Sequence, residues 1–227
     1  QGTADAVRKQ IIEIRTAGTK YILILAGDHL YRMDFREFVD FHIASDAEIS
    51  VAVQPVPVRD VSALGILKLD GENRITSFVE KPQTEEARAG FESGDNPDKP
   101  YMASMGIYVF NADFLYELLD KEGDDFGHDL IPGAIMSNNR VFGYVFDGYW
   151  EDIGTIRRFY EVNLEMAAPD APFDFYDAEA PIYTHARFLP GSEVYNARLH
   201  NVLLADGCRI DSATVSDAVV GLRSIIG

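Results

Sequence analysis

The chain has 227 residues, 47% of them hydrophobic and 25% charged, the composition of a soluble globular protein with enough apolar side chains for a sizeable core. Its formal net charge is −17, from 20 Lys and Arg against 37 Asp and Glu, a balance that repels nucleic-acid backbones and anionic membrane surfaces. No run approaches the ~18 apolar residues of a membrane span, no secretion signal opens the chain, and the single cysteine, Cys208, allows no internal disulfide and points to a reducing compartment.

From the start, Val7, Ile11, Ile12 and Ile14 predict one amphipathic helix over residues 4–17, followed by the strand "YILILAG". In "MDFREFVDFHIASD" the residues Phe35, Phe38, Val39 and His42 share a helical side, and Asp34 with Glu37 forms a capping-box pattern; His42 reads as a core residue. The strand "EISVAVQPV" comes next, then "LGILKLD", the turn "DGEN" and "RITSFVEKP" as an antiparallel hairpin. Residues 83–100 are polar and read as a short helix and a loop. "MASMGIYVFN" is a strand, "ADFLYELLD" and "FGHDLIPGAIM" are helices, "NRVFGYVFD" is a strand, and after the loop "GYWEDIG" comes the helix "TIRRFYEVNLEMA". Helices alternating with apolar strands predict an α/β domain with a mixed, largely parallel sheet over residues 1–168.

Residues 169–200, rich in Pro, Ala and aromatic residues, read as a packed linker. Over 201–227, Leu204, Ile210, Val215, Val220 and Ile226 recur every five or six residues, which fits the coils of a β-helix, although hairpins give a similar pattern. The chain opens at Gln1 without Met and stops inside the apolar pattern "VGLRSIIG", so it reads as an internal piece of something longer.

Three features carry chemistry. Asp28 follows the first strand, expected in the middle of the sheet, while Asp34 already supplies the cap of the next helix; this leaves Asp28 for a ligand at a strand end. Asp152 repeats the pattern, with Thr155 the better N-cap for the helix after it. Two such carboxylates suit one divalent cation, and hard oxygen ligands favour Mg²⁺; the other reading is a pair of solvated loop acids. In "FVEKP", Pro82 is expected to keep Lys81 extended, so that Glu80 and Lys81 point to opposite faces and do not pair side by side. An ammonium suits a phosphate and a carboxylate suits sugar hydroxyls; a solvated edge pair is the other reading. Gly65, Ser104 and Gly106 allow close approach of a ligand to the backbone, or mark bulges. GxGxxG, Walker A, GxSxG and HExxH are all absent, and the five histidines show no metal-ligand spacing.

Together "QGTADAVRK", "YILILAGDHLYRMD", "FVEKP", "ASMGIYVF", "DFGHDLIPGA", "GYWEDIGTI" and "APIYTHARFLP" resemble the glucose-1-phosphate adenylyltransferases, also called ADP-glucose pyrophosphorylases, over nearly the whole chain. The resemblance implies a GT-A-like, Rossmann-like nucleotidyltransferase domain followed by the start of a left-handed β-helix. It implies synthesis of ADP-glucose and pyrophosphate from ATP and glucose 1-phosphate, a homotetramer or related oligomer, allosteric control, and a bacterial cytoplasmic or plastid location. Asp28 and Asp152 would hold Mg²⁺ and, with Lys81, form the catalytic set. Glu80 and Lys81 would bind the sugar and its phosphate, Gly65 and Ser104 would line the glucose site, and Gly2, Thr3 and Asp5 would lie near the nucleotide. The Gly-rich loop that cradles ATP in the family would precede this stretch. A transferase using dTTP, UTP or GTP, and a non-catalytic regulatory subunit of the same assembly, are the rival readings.

Overall fold

A computed structural model describes residues 2–227, the side chain of residue 95 apart. Contacts divide the chain into two units: one runs to Gly27 and resumes over Met33–Gly148, and the other joins Asp28–Arg32 to Tyr149–Gly227.

In the first unit, α1 (Thr3–Arg8) and α2 (Ile11–Ala17) replace the single helix expected over 4–17. The Arg8 guanidinium is drawn to the Leu119 and Gly123 carbonyls at 2.9 and 2.8 Å, which anchors α1 by itself, and Ile12 on α2 is left exposed. Strand β1 (Tyr21–Ile24) follows, and α3 (Phe35–Ala44) is capped by the Asp34 side chain, which accepts from the Arg36 N–H. The Arg36 guanidinium holds the Asp34 carboxyl down at about 2. On the inner side of α3, buried His42 shares bonds with Ser50 Oγ at 2.8 Å and Asn111 Oδ1 at 3.2 Å, the core role its position predicted.

Five successive buried residues open β3 (Ile49–Val56), because both faces of this strand are covered. β4 (Ile66–Leu69) and β5 (Ile75–Val79) form the expected hairpin. After the short α4 (Glu85–Arg88), the stretch read as a loop contains β6 (Glu92–Asn96), which turns back antiparallel onto β7 (Lys99–Asn111). β7 is the spine of the sheet and pairs antiparallel with β1, β3, β4 and β6. β8 (Val141–Val145) lies parallel to β3. The sheet is mixed as expected, but a largely parallel sheet is corrected: antiparallel pairing dominates, because β7 returns along β3 rather than crossing over. A second correction concerns β1, which among the described residues pairs with β7 alone and so is not a central strand here.

Register between β3 and β7 slips at Val51/Val53, where Val51 faces Tyr108 and Val53 faces Ser104. Gly106 sits in that slip at φ +68°, a conformation glycine adopts without steric cost, so Gly106 marks a bulge. Beneath it lies the core. Ile49 and Val53 of β3, Phe110 of β7, Leu115 and Leu118 of α5 (Ala112–Leu119), and Ile131 of α6 (Ile131–Met136) pack together there. Phe126, in the wide helical turn Phe126–Leu130 that leads into α6, packs its ring at a tilt against Phe110 and Tyr108, 5.4 and 5.6 Å between ring centres. Truncating so buried an aromatic ring costs about 3–5 kcal/mol.

In the second unit, β2 (His29–Tyr31) pairs antiparallel with β9 (Trp150–Asp152), a strand inside the stretch read as the loop "GYWEDIG". Helix α7 (Ile156–Ala167) is capped by Thr155, as predicted, and buries Val162, Met166 and Ala167. Strands β10 (Glu193–Tyr195), β11 (Arg198–Leu204), β12 (Arg209–Asp211), β13 (Thr214–Val220) and β14 (Ile225–Ile226) stack in parallel, and the first of them lies within the stretch read as linker. Glu193 stands opposite Arg209, a step of 16 residues per coil, and Arg209 opposite Ile225 repeats it. Parallel pairing rules out hairpins. The periodic apolar positions stack coil over coil, Leu204 on Val220 and Ile210 on Ile226.

Candidate functional site

The β2–β9 ribbon pairs Leu30 with Glu151 and Tyr31 with Trp150, and the same register sets His29 against Asp152. Ligand atoms of Asp28, His29 and Asp152 consequently lie within 4.8 Å of one another. Backbone pairing extends to the Ile153 N–H, which donates to the Asp28 carbonyl at 3.0 Å. Asp152 has a local task as well: its Oδ1 accepts from the Gly154 N–H at 2.8 Å. Both carboxylates are exposed, so neither is consumed by the core.

His29, set aside in the sequence for want of ligand spacing, is corrected into this group. The pairing that brings it there joins residues more than a hundred positions apart, which no spacing rule reads. Its ring stands edge-on to Trp150 at 5.3 Å, and Trp150 Nε1 donates to His29 Nδ1 at 3.3 Å. An indole nitrogen only donates, so the remaining proton of the neutral imidazole lies on Nε2, which faces Asp28 Oδ1 at 3.7 Å. His29 Nε2 thus stands beside the carboxylate, just beyond hydrogen-bond length. Two carboxylate oxygens with room for water suit a hard divalent cation better than a thiophilic one. Behind the ribbon, Glu151 is gripped by Arg158 of α7, whose Nε lies 2.9 Å from Glu151 Oε2, and Arg158 also reaches Glu165 at 3.0 Å. This pairing pins β9 to the helix.

A second group forms in the first unit. Glu80 lies just past β5, and its Oε2 sits where side chains at Gly65 and Gly127 would otherwise stand: a Cβ there would come within 2.6 Å and 2.9 Å of it. Two glycine backbones therefore seat one carboxylate. Lys81 Nζ lies 3.6 Å from Glu80 Oε1, which corrects the expectation that the two cannot pair side by side. The reason is local, since Lys81 adopts φ +44° instead of an extended conformation, and a left-handed residue turns its side chain back toward its neighbour. A non-glycine residue held there before a proline is strained.

Ser104 is nearly buried at the bulge; its N–H donates to the Gly65 carbonyl at 2.8 Å and its Oγ accepts from Gly106 at 3.3 Å. The Tyr108 phenol is pushed up to about 12 by burial, opposed by Ser104 and aided by the charges of Glu80 and Asp125. Burial likewise raises Glu80 above its ordinary value; Lys81 opposes the shift and Asp125 adds to it. Burial acts upward on Asp125 too, but bonds from the His128 N–H, Thr3 and the Gly127 N–H outweigh it and hold that carboxyl low.

A raised carboxyl makes folding less favourable as pH climbs from the ordinary value of 4.5 through the folded one, since the native state holds the proton more tightly in that window. Above the window the penalty is constant. Glu80→Gln is therefore expected to raise the melting temperature at pH 8 and to have less effect at pH 4. Thermal unfolding followed across pH checks this, and an equal shift at both pH values would contradict it.

At the start of the chain, Gly2, Thr3 and Asp5 sit around the first turn of α1. Thr3 Oγ1 donates to Asp125 Oδ2 at 3.0 Å, and the Asp5 carboxylate is held by Lys9 at 2.8 Å. Thr3 thus joins the Glu80 group, through Asp125, while Asp5 pairs within its own helix. Asp125, Gly127 and Tyr108 were missed in the sequence; "DFGHD" carried only the signal of a capping aspartate before a helix. A separate cleft of about 440 Å³, lined by Lys20, His42, Asp46, Asn111 and Arg140 among others, contains none of these residues. Its polar groups bond each other, with Arg140 Nε 2.6 Å from the Asp46 carbonyl and Asn111 Nδ2 2.9 Å from that of Ala47.

Two family models match the chain in succession. The family model "Nucleotidyl transferase" matches residues 1–168, and the model "GLGC left-handed parallel beta-helix domain" matches residues 187–227. The glucose-1-phosphate adenylyltransferase small subunit, chloroplastic/amyloplastic, of Triticum aestivum is 43% identical over 238 residues, covering 100% of this chain and 50% of the relative. The chain thus spans about half the length of that curated relative. The left-handed sense of the C-terminal coils follows from the second match, and the chain belongs to the nucleotidyl transferase family.

Proposed function

We propose that the protein containing this chain transfers the adenylyl group of ATP to glucose 1-phosphate, making ADP-glucose and pyrophosphate for starch or glycogen synthesis. The observation that carries the reading is the pair of prepared acidic groups: Asp28 with Asp152 on the β2–β9 ribbon, and Glu80 seated between Gly65 and Gly127 beside Lys81. A sugar phosphate is already largely ionised near neutral pH. Its oxygen attacks the α-phosphorus of ATP, a new P–O bond forms, and the bond to pyrophosphate breaks, with no proton to remove. That is why no activated histidine or serine is required.

Asp28 and Asp152 are the residues that would hold Mg²⁺, which when bound supplies charge neutralisation for the phosphates. Lys81 carries the ammonium for the sugar phosphate, and Glu80 accepts from sugar hydroxyls, with Ser104 and Gly65 shaping the space beside it. Trp150 fixes the His29 ring beside Asp28. Assembly as a homotetramer or related oligomer, allosteric control, and the plastid location in the wheat relative's name belong to the same reading.

The full-length protein, supplied with Mg²⁺, glucose 1-phosphate and ATP, UTP, dTTP or GTP in turn, is expected to release pyrophosphate with ATP at least tenfold faster than with the others. Release with none of them, or preference for another base, would overturn the assignment.

A further inference from the structure

We infer that Thr3 is a positioning residue for the Glu80 carboxylate, acting through Asp125 and the turn after it; the inference rests on the sugar-binding role proposed above for Glu80. The connection is a chain of short contacts within one unit. Thr3 Oγ1 donates to Asp125 Oδ2 at 3.0 Å and accepts from the Phe126 N–H at 3.1 Å. Asp125 Oδ1 accepts from the Gly127 and His128 N–H groups at 2.9 and 3.0 Å. With the Thr3 N–H also reaching Oδ2 at 3.4 Å, four donors surround this carboxylate. Four is about its full accepting capacity. Asp125 is therefore committed to holding the turn rather than to accepting from a sugar. The turn in question presents the Gly127 backbone on which Glu80 rests.

The joint between α1 and this turn is close as well as polar. The Ala4 and Asp5 N–H groups donate to the Asp124 carbonyl at 2.9 and 3.1 Å, and a Cβ at Gly2 would lie 2.4 Å from that oxygen. Without the Thr3 hydroxyl, the N–H of fully buried Phe126 loses its acceptor, which buried backbone groups tolerate poorly. The turn then has to shift toward water, and the Gly127 surface under Glu80 shifts with it.

Thr3→Val in the full-length protein keeps the shape and removes the hydroxyl. Half-saturating glucose 1-phosphate is expected to rise about tenfold, half-saturating ATP to change less than twofold, and Thr3→Ser to stay within twofold of the parent for both. A rise for ATP instead, or an equal loss in Thr3→Ser, would overturn the inference and make Thr3 a nucleotide contact or a purely steric element. A parent protein inactive with these substrates would defeat the sugar-phosphate reading on its own, so the joint is also read without substrate. The rise in melting temperature that Glu80→Gln brings at pH 8 should shrink by at least half in a Thr3→Val background, because a loosened seat lets water reach the carboxylate. An undiminished rise would show that Thr3 does not position Glu80.

Discussion

Asp28→Asn in the full-length protein is expected to lower turnover by roughly 10²–10³-fold, the range for removing one preorganised electrostatic contact at a charged transition state. The side chain of Asp28 is 64% exposed, so the substitution should leave the unfolding midpoint close to that of the parent. Asp152→Asn is expected to fall in the same range, because an amide oxygen can still accept from the Gly154 N–H while the charge is gone. The double variant should be little worse than either single one, since the two carboxylates act on one cation. Steady-state pyrophosphate release over a Mg²⁺ titration measures this. Full turnover in either variant at saturating Mg²⁺ would remove the ribbon from the mechanism.

The second large effect belongs to Lys81. Lys81→Ala should raise the half-saturating concentration of glucose 1-phosphate by about 10–100-fold, since a charge-assisted hydrogen bond is worth about 1.5–3 kcal/mol. Half-saturating ATP should move far less. Lys81 is also the cation 3.6 Å from Glu80, and its attraction holds that carboxyl below where burial alone would put it. Removing it should therefore push Glu80 further up and move the acid limb of the pH profile to higher pH. Arginine at this position should restore only part of the affinity, because a planar fork does not reproduce a compact ammonium on a backbone held at φ +44°. An unchanged sugar-phosphate saturation curve in Lys81→Ala would rule out the contact.

Much of the fold was readable before any coordinates. The β4–β5 hairpin, the Asp34 and Thr155 caps and the core place of His42 all follow from local chemistry. Each depends on residues within a few positions or on the periodicity of one element. The parallel share of the sheet was overestimated because apolar alternation with helices does not state direction; β7 runs antiparallel to β3 while keeping the same hydrophobic pattern. β6 escaped notice because its sequence, "ESGDN", has none of the β-branched or aromatic residues that announce a strand, and it forms only by turning back onto β7.

Residue types and their neighbours singled out Asp28 and Asp152 as acids not needed to cap a helix and placed Glu80 and Lys81 at a strand end, and motif resemblance pointed to the family that the chain belongs to. Tertiary structure alone decided that a ribbon between β2 and β9 lays His29 against Asp152, that Lys81 turns back onto Glu80, and that Asp125 locks Thr3 to the turn beneath it. The division has a physical origin. Capping and periodicity are properties of a short segment, whereas strand register and the seating of a carboxylate between two glycine backbones arise only when distant segments meet and bury one another.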